Sequence, residues 1–208
     1  MYETSIFTSN DLFHWVSNHW TEMFGVVTAL LYILLEIKQK PIMWVVGFIS
    51  SFVFIFVFFQ AKVYGSTALN IYYVAISIYG WYCWRFSRQS DSEVTGLLIS
   101  RIRMSLALIL TAITISLFFG IGYVLELYSD SSVPFYDALV TSLSIVATWM
   151  LARKILEHWL LWIFVNCFSA ALYFYLGLYP TTGLFIVYSV MSVVGWFKWR
   201  QSFNNQIQ

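Results

Sequence analysis

The chain has 208 residues, of which 60% are hydrophobic, 21% aromatic and only 10% charged, with a formal net charge of +1. A soluble domain carries about a quarter charged residues, so this chain cannot cover a water-facing surface, and its mean hydropathy of +0.75 agrees. The composition defines an integral membrane protein and, with net charge near zero, excludes nucleic acid as a partner.

Residues 1–19 lack the basic start of a signal peptide and contain Glu3, Asp11, His14 and His19. They are read as a periplasmic segment. Leu12, Phe13, Val16 and Trp20 give it the pattern of an amphipathic helix on the membrane surface. Seven apolar segments follow, each long enough or nearly so to cross roughly 30 Å of hydrocarbon. The first spans Trp20–Ile37 and is stopped by Lys38-Gln39-Lys40-Pro41. The second is Ile42–Gln60. The third opens at Ser66-Thr67, read as N-caps, and ends at Trp84-Arg85. A polar loop precedes the fourth, Met104–Leu127. An acidic loop containing Pro134 leads to the fifth, Tyr136–Leu151. The sixth is Trp159–Leu176 and the seventh Thr181–Trp196, with residues 201–208 as a tail. Cys83 and Cys167 suggest neither a disulfide framework nor a metal site.

Basic residues set the orientation. With the N-terminus outside, Lys38, Lys40, Arg85, Arg88, Arg101, Arg103, Arg153, Lys154, Lys198 and Arg200 fall inside, and only Lys62 falls outside. The C-terminus is then cytoplasmic.

An internal repeat is visible. Gly80-Trp81-Tyr82-Cys83-Trp84-Arg85 returns as Gly195-Trp196-Phe197-Lys198-Trp199-Arg200, an offset of 115 residues. The same offset pairs Trp44 with Trp159, Tyr73 with Tyr188 and Ser77 with Ser192. Residues 20–85 and 135–200 are therefore two copies of a three-helix unit. Residues 86–134 form a linker whose helix restores the direction of the second copy. The expected architecture is all-α, with seven transmembrane helices as 3+1+3 parallel repeats. Carriers built this way bind substrate between repeats near the bilayer midplane.

Trp159, Trp162 and Asn166 form one stripe of a helix, at i, i+3 and i+7. Two indole faces and an amide suit a flat aromatic solute. Asn70, Tyr73 and Ser77 form a second stripe. Gln60, Trp44 and Tyr188 complete the candidate substrate site, and Trp81 and Trp196 are candidates for an inner gate. Glu36, Glu126 and His158 lie at helix ends, and no ionisable group lies mid-helix. That favours a facilitator without ion coupling. The chain has no P-loop, no mid-helix lysine for retinal and no Ser/His/Asp or metal cluster, so no cofactor and no enzymatic activity are expected.

The Trp159-x-x-Trp162-x-x-x-Asn166 motif resembles that of the PnuC-type nicotinamide riboside transporters, as does Asn70-x-x-Tyr73-x-x-x-x-x-Tyr79-Gly80-Trp81. The resemblance spans about Trp20 to Arg200. It implies a fold similar to the SWEET sugar transporters in the bacterial inner membrane. It also implies facilitated uptake of nicotinamide riboside, trapped through phosphorylation by a separate cytoplasmic kinase. The bilayer is the remaining partner, and a homo-oligomer is one option. An aromatic cage holds a pyridinium cation by cation–π contact, worth up to about 2 kcal/mol when desolvated. Thiamine, also cationic and aromatic, is the alternative substrate. A non-transporting receptor or scaffold is the alternative of another class.

Overall fold

The computed structural model describes residues 20–61, 64–86, 97–129 and 133–207. Among these, seven helices follow in order: α1 (Trp20–Ile37), α2 (Met43–Gln60), α3 (Tyr64–Phe86), α4 (Met104–Tyr128), α5 (Pro134–Ala152), α6 (His158–Tyr175) and α7 (Tyr179–Ile207). The amphipathic segment expected before Trp20, and Arg88 and Lys62, lie outside the described residues. Five helices, α2 and α4 to α7, are long and apolar enough to cross a membrane, and α1 contributes the shorter apolar stretch Met23–Ile37. The lower hydropathy of α3 comes from its five tyrosines and Asn70.

Local chemistry explains the breaks. Pro134 opens α5, where its missing N–H costs no helical bond, and Asp137 in the first turn complements the helix dipole. Gly177 ends α6 with φ of 75°. Leu178 N–H donates to the Tyr173 carbonyl and Gly177 N–H to that of Phe174, the paired bonds of a Schellman cap. The same pairing closes α1, through Lys40 N–H to Leu35 O and Gln39 N–H to Glu36 O, and closes α5, through Ile155 N–H to Met150 O and Lys154 N–H to Leu151 O. In these two caps the left-handed residue is Gln39 (φ 53°) and Lys154 (φ 50°), not glycine. Each such residue costs roughly 1–2 kcal/mol, so the packing around both turns enforces them.

Two boundaries differ from expectation. The third helix begins at Tyr64, so Ser66 and Thr67 lie inside its first turn instead of capping it, and the Ser66 carbonyl accepts a bond from Asn70. The seventh continues past Trp196 to Ile207. No Gly or Pro interrupts residues 196–207, and Trp199 and Phe203, one turn apart, both pack on the core. Most of the expected tail is therefore helix.

α3 packs on α2, α7 on α6, and α4 chiefly on α5. The largest core lies where α1 and α5 end and α2 and α6 begin. Trp44, Trp84, Trp199 and Trp159 form a chain of ring contacts there, with centroids 5.7, 6.0 and 5.9 Å apart. Gly80 lies beneath the Trp44 ring and Gly195 beneath that of Trp159. A Cβ at either glycine would come within 2.4 Å of its indole. The Trp84 indole donates to the Leu151 carbonyl at 3.3 Å and the Trp199 indole to that of Glu36 at 3.0 Å. Trp84 with Trp199, Leu151 with Glu36 and Lys154 with Gln39 are each separated by 115 residues.

Candidate functional site

A cavity of about 270 Å³ opens among α1, α2, α3, α5, α6 and α7. From α1 it receives Thr28, Ala29, Tyr32, Ile33 and Glu36. Thr28, Tyr32 and Glu36 recur every four residues, a stripe about 12 Å long at 1.5 Å per residue. Gly47, Ser50 and Ser51 come from α2, Tyr73, Ile76 and Ser77 from α3, and Thr148 from α5. Trp159, Trp162 and Asn166 come from α6, and Tyr188 and Ser192 from α7.

The structure thus brings Trp159, Trp162, Asn166, Tyr73 and Tyr188 to one cavity. Helical spacing on α6 accounts for the first three, and equivalent positions on α3 and α7 account for the two tyrosines. Asn166, 6% exposed, donates to Ser192 Oγ at 3.1 Å, and Ser192 donates to the Tyr188 carbonyl at 2.8 Å. The indole N–H groups of Trp159 and Trp162 are buried without a hydrogen-bond partner. A buried polar group left unpaired costs about 1–3 kcal/mol. An acceptor entering the cavity could relieve it.

Three candidates lie off the wall. Asn70 turns its amide onto its own helix, donating to Ser66 O at 2.8 Å. Gln60 is exposed at the end of α2. Trp44 is 1% exposed and packs edge-on against Trp84 and Tyr32. Trp81 and Trp196 pack half-buried against the tryptophan core and do not line the cavity.

Sequence reasoning missed several wall residues: Thr28, Tyr32, Glu36, Ser50, Ser51 and Thr148. Thr28 Oγ1 and Ser50 Oγ lie 3.0 Å apart across α1 and α2. The stripe on α1 was visible as i, i+4, i+8 spacing, but the place of Glu36 at a helix end gave no sign of its burial. Glu36 is 3% exposed and lines the cavity. The extended α7 carries Trp199 over the end of α1, burying what would be a solvated turn. His158 is 0% exposed. Its Nε2 lies 3.1 Å from Glu36 Oε1, and its Nδ1 lies 2.7 Å from the Ile155 carbonyl.

Among the described residues, no lysine or arginine lines the cavity. Just past the end of α5, Arg153 donates to the Tyr79 hydroxyl at 3.2 Å. Lys154 lies 4.5 Å over the Trp84 ring, and burial lowers its ammonium to about 8. Cys83 and Cys167 are free thiols.

An apolar bundle with an aromatic-walled cavity between its helices, lined by no cation among the described residues, fits one class: a membrane carrier for a small organic solute. The chain belongs to the nicotinamide mononucleotide transporter family, whose sequence profile matches residues 19–201. It is 28% identical over 205 residues to the Escherichia coli nicotinamide riboside transporter PnuC, covering 88% of this chain and 86% of that one. It is 26% identical over 188 residues to the riboflavin/roseoflavin transporter RibM of Streptomyces davaonensis, covering 86% and 84%. In fold it is similar to the crystal structure of the vitamin B3 transporter PnuC, with a TM-score of 0.71 at 22% identity over 93% of this chain and 86% of that one.

Proposed function

We propose that this chain carries nicotinamide riboside across the bacterial inner membrane by facilitated diffusion. The observation that carries the reading is the convergence of two partnerless indoles and an oriented amide, Trp159, Trp162 and Asn166, on one cavity. The rings of Trp159, Trp162, Tyr73 and Tyr188 supply π-faces for a pyridinium. Asn166 and the hydroxyls of Ser51, Ser77 and Ser192 supply hydrogen bonds for the carboxamide and ribose.

The cavity also argues against the mononucleotide in the family's name. A phosphate needs Lys, Arg or a helix N-terminus to offset its charge. Among the described residues the wall offers no lysine or arginine and presents Glu36 instead. Phosphorylation of the riboside by a cytoplasmic kinase would create an anion that this cavity rejects, so uptake would become one-way without ion coupling.

Architecture and orientation form part of the proposal. Helices α1–α3 and α5–α7 are read as parallel repeats with α4 between them, N-terminus outside and C-terminus inside. The paired glycine–indole contacts, caps and indole–carbonyl bonds, all at an offset of 115, support the parallel repeat, and the distribution of basic residues supports the orientation. The repeats would rock about the cavity, with the half-buried Trp81 and Trp196 near its inner end as the gate.

The test is calorimetric binding to the detergent-purified protein of nicotinamide riboside, nicotinamide mononucleotide, thiamine and riboflavin in parallel. Binding of the riboside at micromolar or tighter affinity, and at least a hundredfold more weakly for the mononucleotide, is the expected result. Binding of thiamine or riboflavin alone would keep the carrier and overturn its substrate. A protein that binds the riboside but does not accumulate it in kinase-containing vesicles would be a receptor.

A further inference from the structure

The Glu36–His158 pair is the one buried acid–base pair that the described residues place at the cavity, and the substrate contacts above make no use of it. The pair joins the two halves: Glu36 closes α1 and His158 opens α6. The repeat does not require it. At an offset of 115 the counterparts of Glu36 and His158 are Leu151 and Met43, two apolar residues that are fully buried. The fold therefore packs this corner with apolar side chains in one half and with a hydrogen-bonded acid–base pair in the other. A buried pair gives weak support to stability, because desolvation offsets the attraction. Its occurrence on the cavity side alone calls for a different role.

The geometry has a direction. Glu36 is on the cavity wall and His158 is not. His158 Nδ1 faces a carbonyl, which can only accept, so Nδ1 carries a proton, and the contact of Nε2 with the Glu36 carboxyl is made through a second proton held between the two side chains. The imidazole is wedged between the rings of Trp159 and Trp199, with centroids 4.8 and 4.9 Å away. It is fixed behind the carboxyl and cannot turn toward the cavity. A solute in the cavity thus meets the acidic end of the pair first, with the base beyond it. Tyr32 and Trp159, on the same wall, supply aromatic faces beside the carboxyl.

We infer that Glu36 is a charge-selecting residue of the substrate site: held by His158, it makes the cavity favour a cationic aromatic ring over an uncharged or anionic one. This rests on the substrate reading proposed above and adds to it the origin of the charge preference. The partner matters as much as the acid. A bare carboxylate in this setting would hold a cation too strongly for release, or take up a proton and lose its charge. The imidazole behind it tempers the field and leaves a preference that still permits turnover.

The test compares nicotinamide riboside, a cation, with its dihydro form, which carries the same substituents on an uncharged ring. Binding of each to the full chain is measured by quenching of tryptophan fluorescence. Wild type is expected to prefer the cation. Glu36→Gln is expected to lower that preference at least tenfold, through weaker binding of the cation, with affinity for the dihydro form changed less than about threefold. The double variant Glu36→Gln/His158→Gln removes both ionisable groups and keeps an amide pair, and the same loss of preference is expected. It serves where the single variant fails to fold, as judged by its thermal transition. An unchanged preference in a folded variant, or an equal loss of both ligands, would overturn the inference while leaving the substrate reading intact. Failure of wild type to bind either form would remove the substrate reading and this inference together.

Discussion

Trp159 and Trp162 are three residues apart on α6, but their surroundings differ. Trp159 is 0% exposed, rests on Gly195 and touches Trp199. Its truncation empties a packed site, which in cores costs about 3–5 kcal/mol. Trp162 reaches the cavity a turn further along. Trp159→Ala is therefore expected to lower the thermal transition of the purified protein by several degrees. Trp162→Ala should leave it nearly unchanged and weaken riboside binding at least tenfold. Equal destabilisation by both would deny the distinction. Asn166→Leu belongs to the same scale. Ser192 keeps its bond to the Tyr188 carbonyl when the amide is gone, so the helix pair has little reason to separate. At least a tenfold loss of affinity is expected by calorimetry with normal insertion and purification, and unchanged binding would remove Asn166 from the site.

At the level of elements, positions 115 residues apart keep the same side chain at some places, such as Gly80 and Gly195, and differ at others, such as Gly47 and Trp162. Gly80 and Gly195 each admit an indole at a distance no Cβ would allow. Overpacking such a contact costs typically 1–3 kcal/mol, so Gly80→Ala and Gly195→Ala should both lower the melting temperature. They should part in function. Gly195→Ala displaces the indole of Trp159, a cavity residue, whereas Gly80→Ala displaces that of Trp44, which is off the wall. Loss of affinity is expected for the first and little change for the second. Gly183→Ala is the control, since nothing lies within 4 Å of a Cβ there. The glycine–tryptophan repeat and the stripe on α6 were legible because helical periodicity and residue identity suffice to find them. What was not legible depended on long-range contacts. Asn70 has the spacing of a site residue, yet its amide reaches back one turn to the Ser66 carbonyl, an option open to any amide near a helix start. Glu36 lies at a helix end, and its burial comes with contacts from far along the chain, the His158 ring on its carboxyl and the Trp199 indole on its carbonyl. Gly47, the counterpart of Trp162 at an offset of 115, gave no signal in its own helix. In the structure a Cβ there would come within 2.8 Å of the Tyr32 ring, so glycine on α2 is what admits that ring beside the cavity.

For the whole molecule, a carrier must open each end in turn while the other is closed. The end where α1 and α5 stop is closed in this structure: Trp44, Trp159, Trp199 and His158 are all at most 1% exposed. Two indole–carbonyl bonds tie the halves there, Trp84 to Leu151 and Trp199 to Glu36. Each is worth about 0.5–1.5 kcal/mol net. Removing one, with ring volume largely kept, should shift the closed–open balance roughly two- to tenfold, since about 1.4 kcal/mol is a factor of ten in an equilibrium. Cys83 reports that balance. It is 6% exposed in the same cluster, next to Trp84, and the exposed Cys167 can be replaced by serine to leave it as the sole thiol. In that background Trp199→Phe is expected to raise the rate of Cys83 labelling by a small maleimide severalfold. Saturating riboside should change the rate in both proteins, because the cavity shares Trp159 with the closed cluster. A labelling rate that Trp199→Phe leaves unchanged would mean that the tryptophan cluster holds the fold together without taking part in opening. The moving contact would then have to be sought among the half-buried Trp81 and Trp196 that flank it.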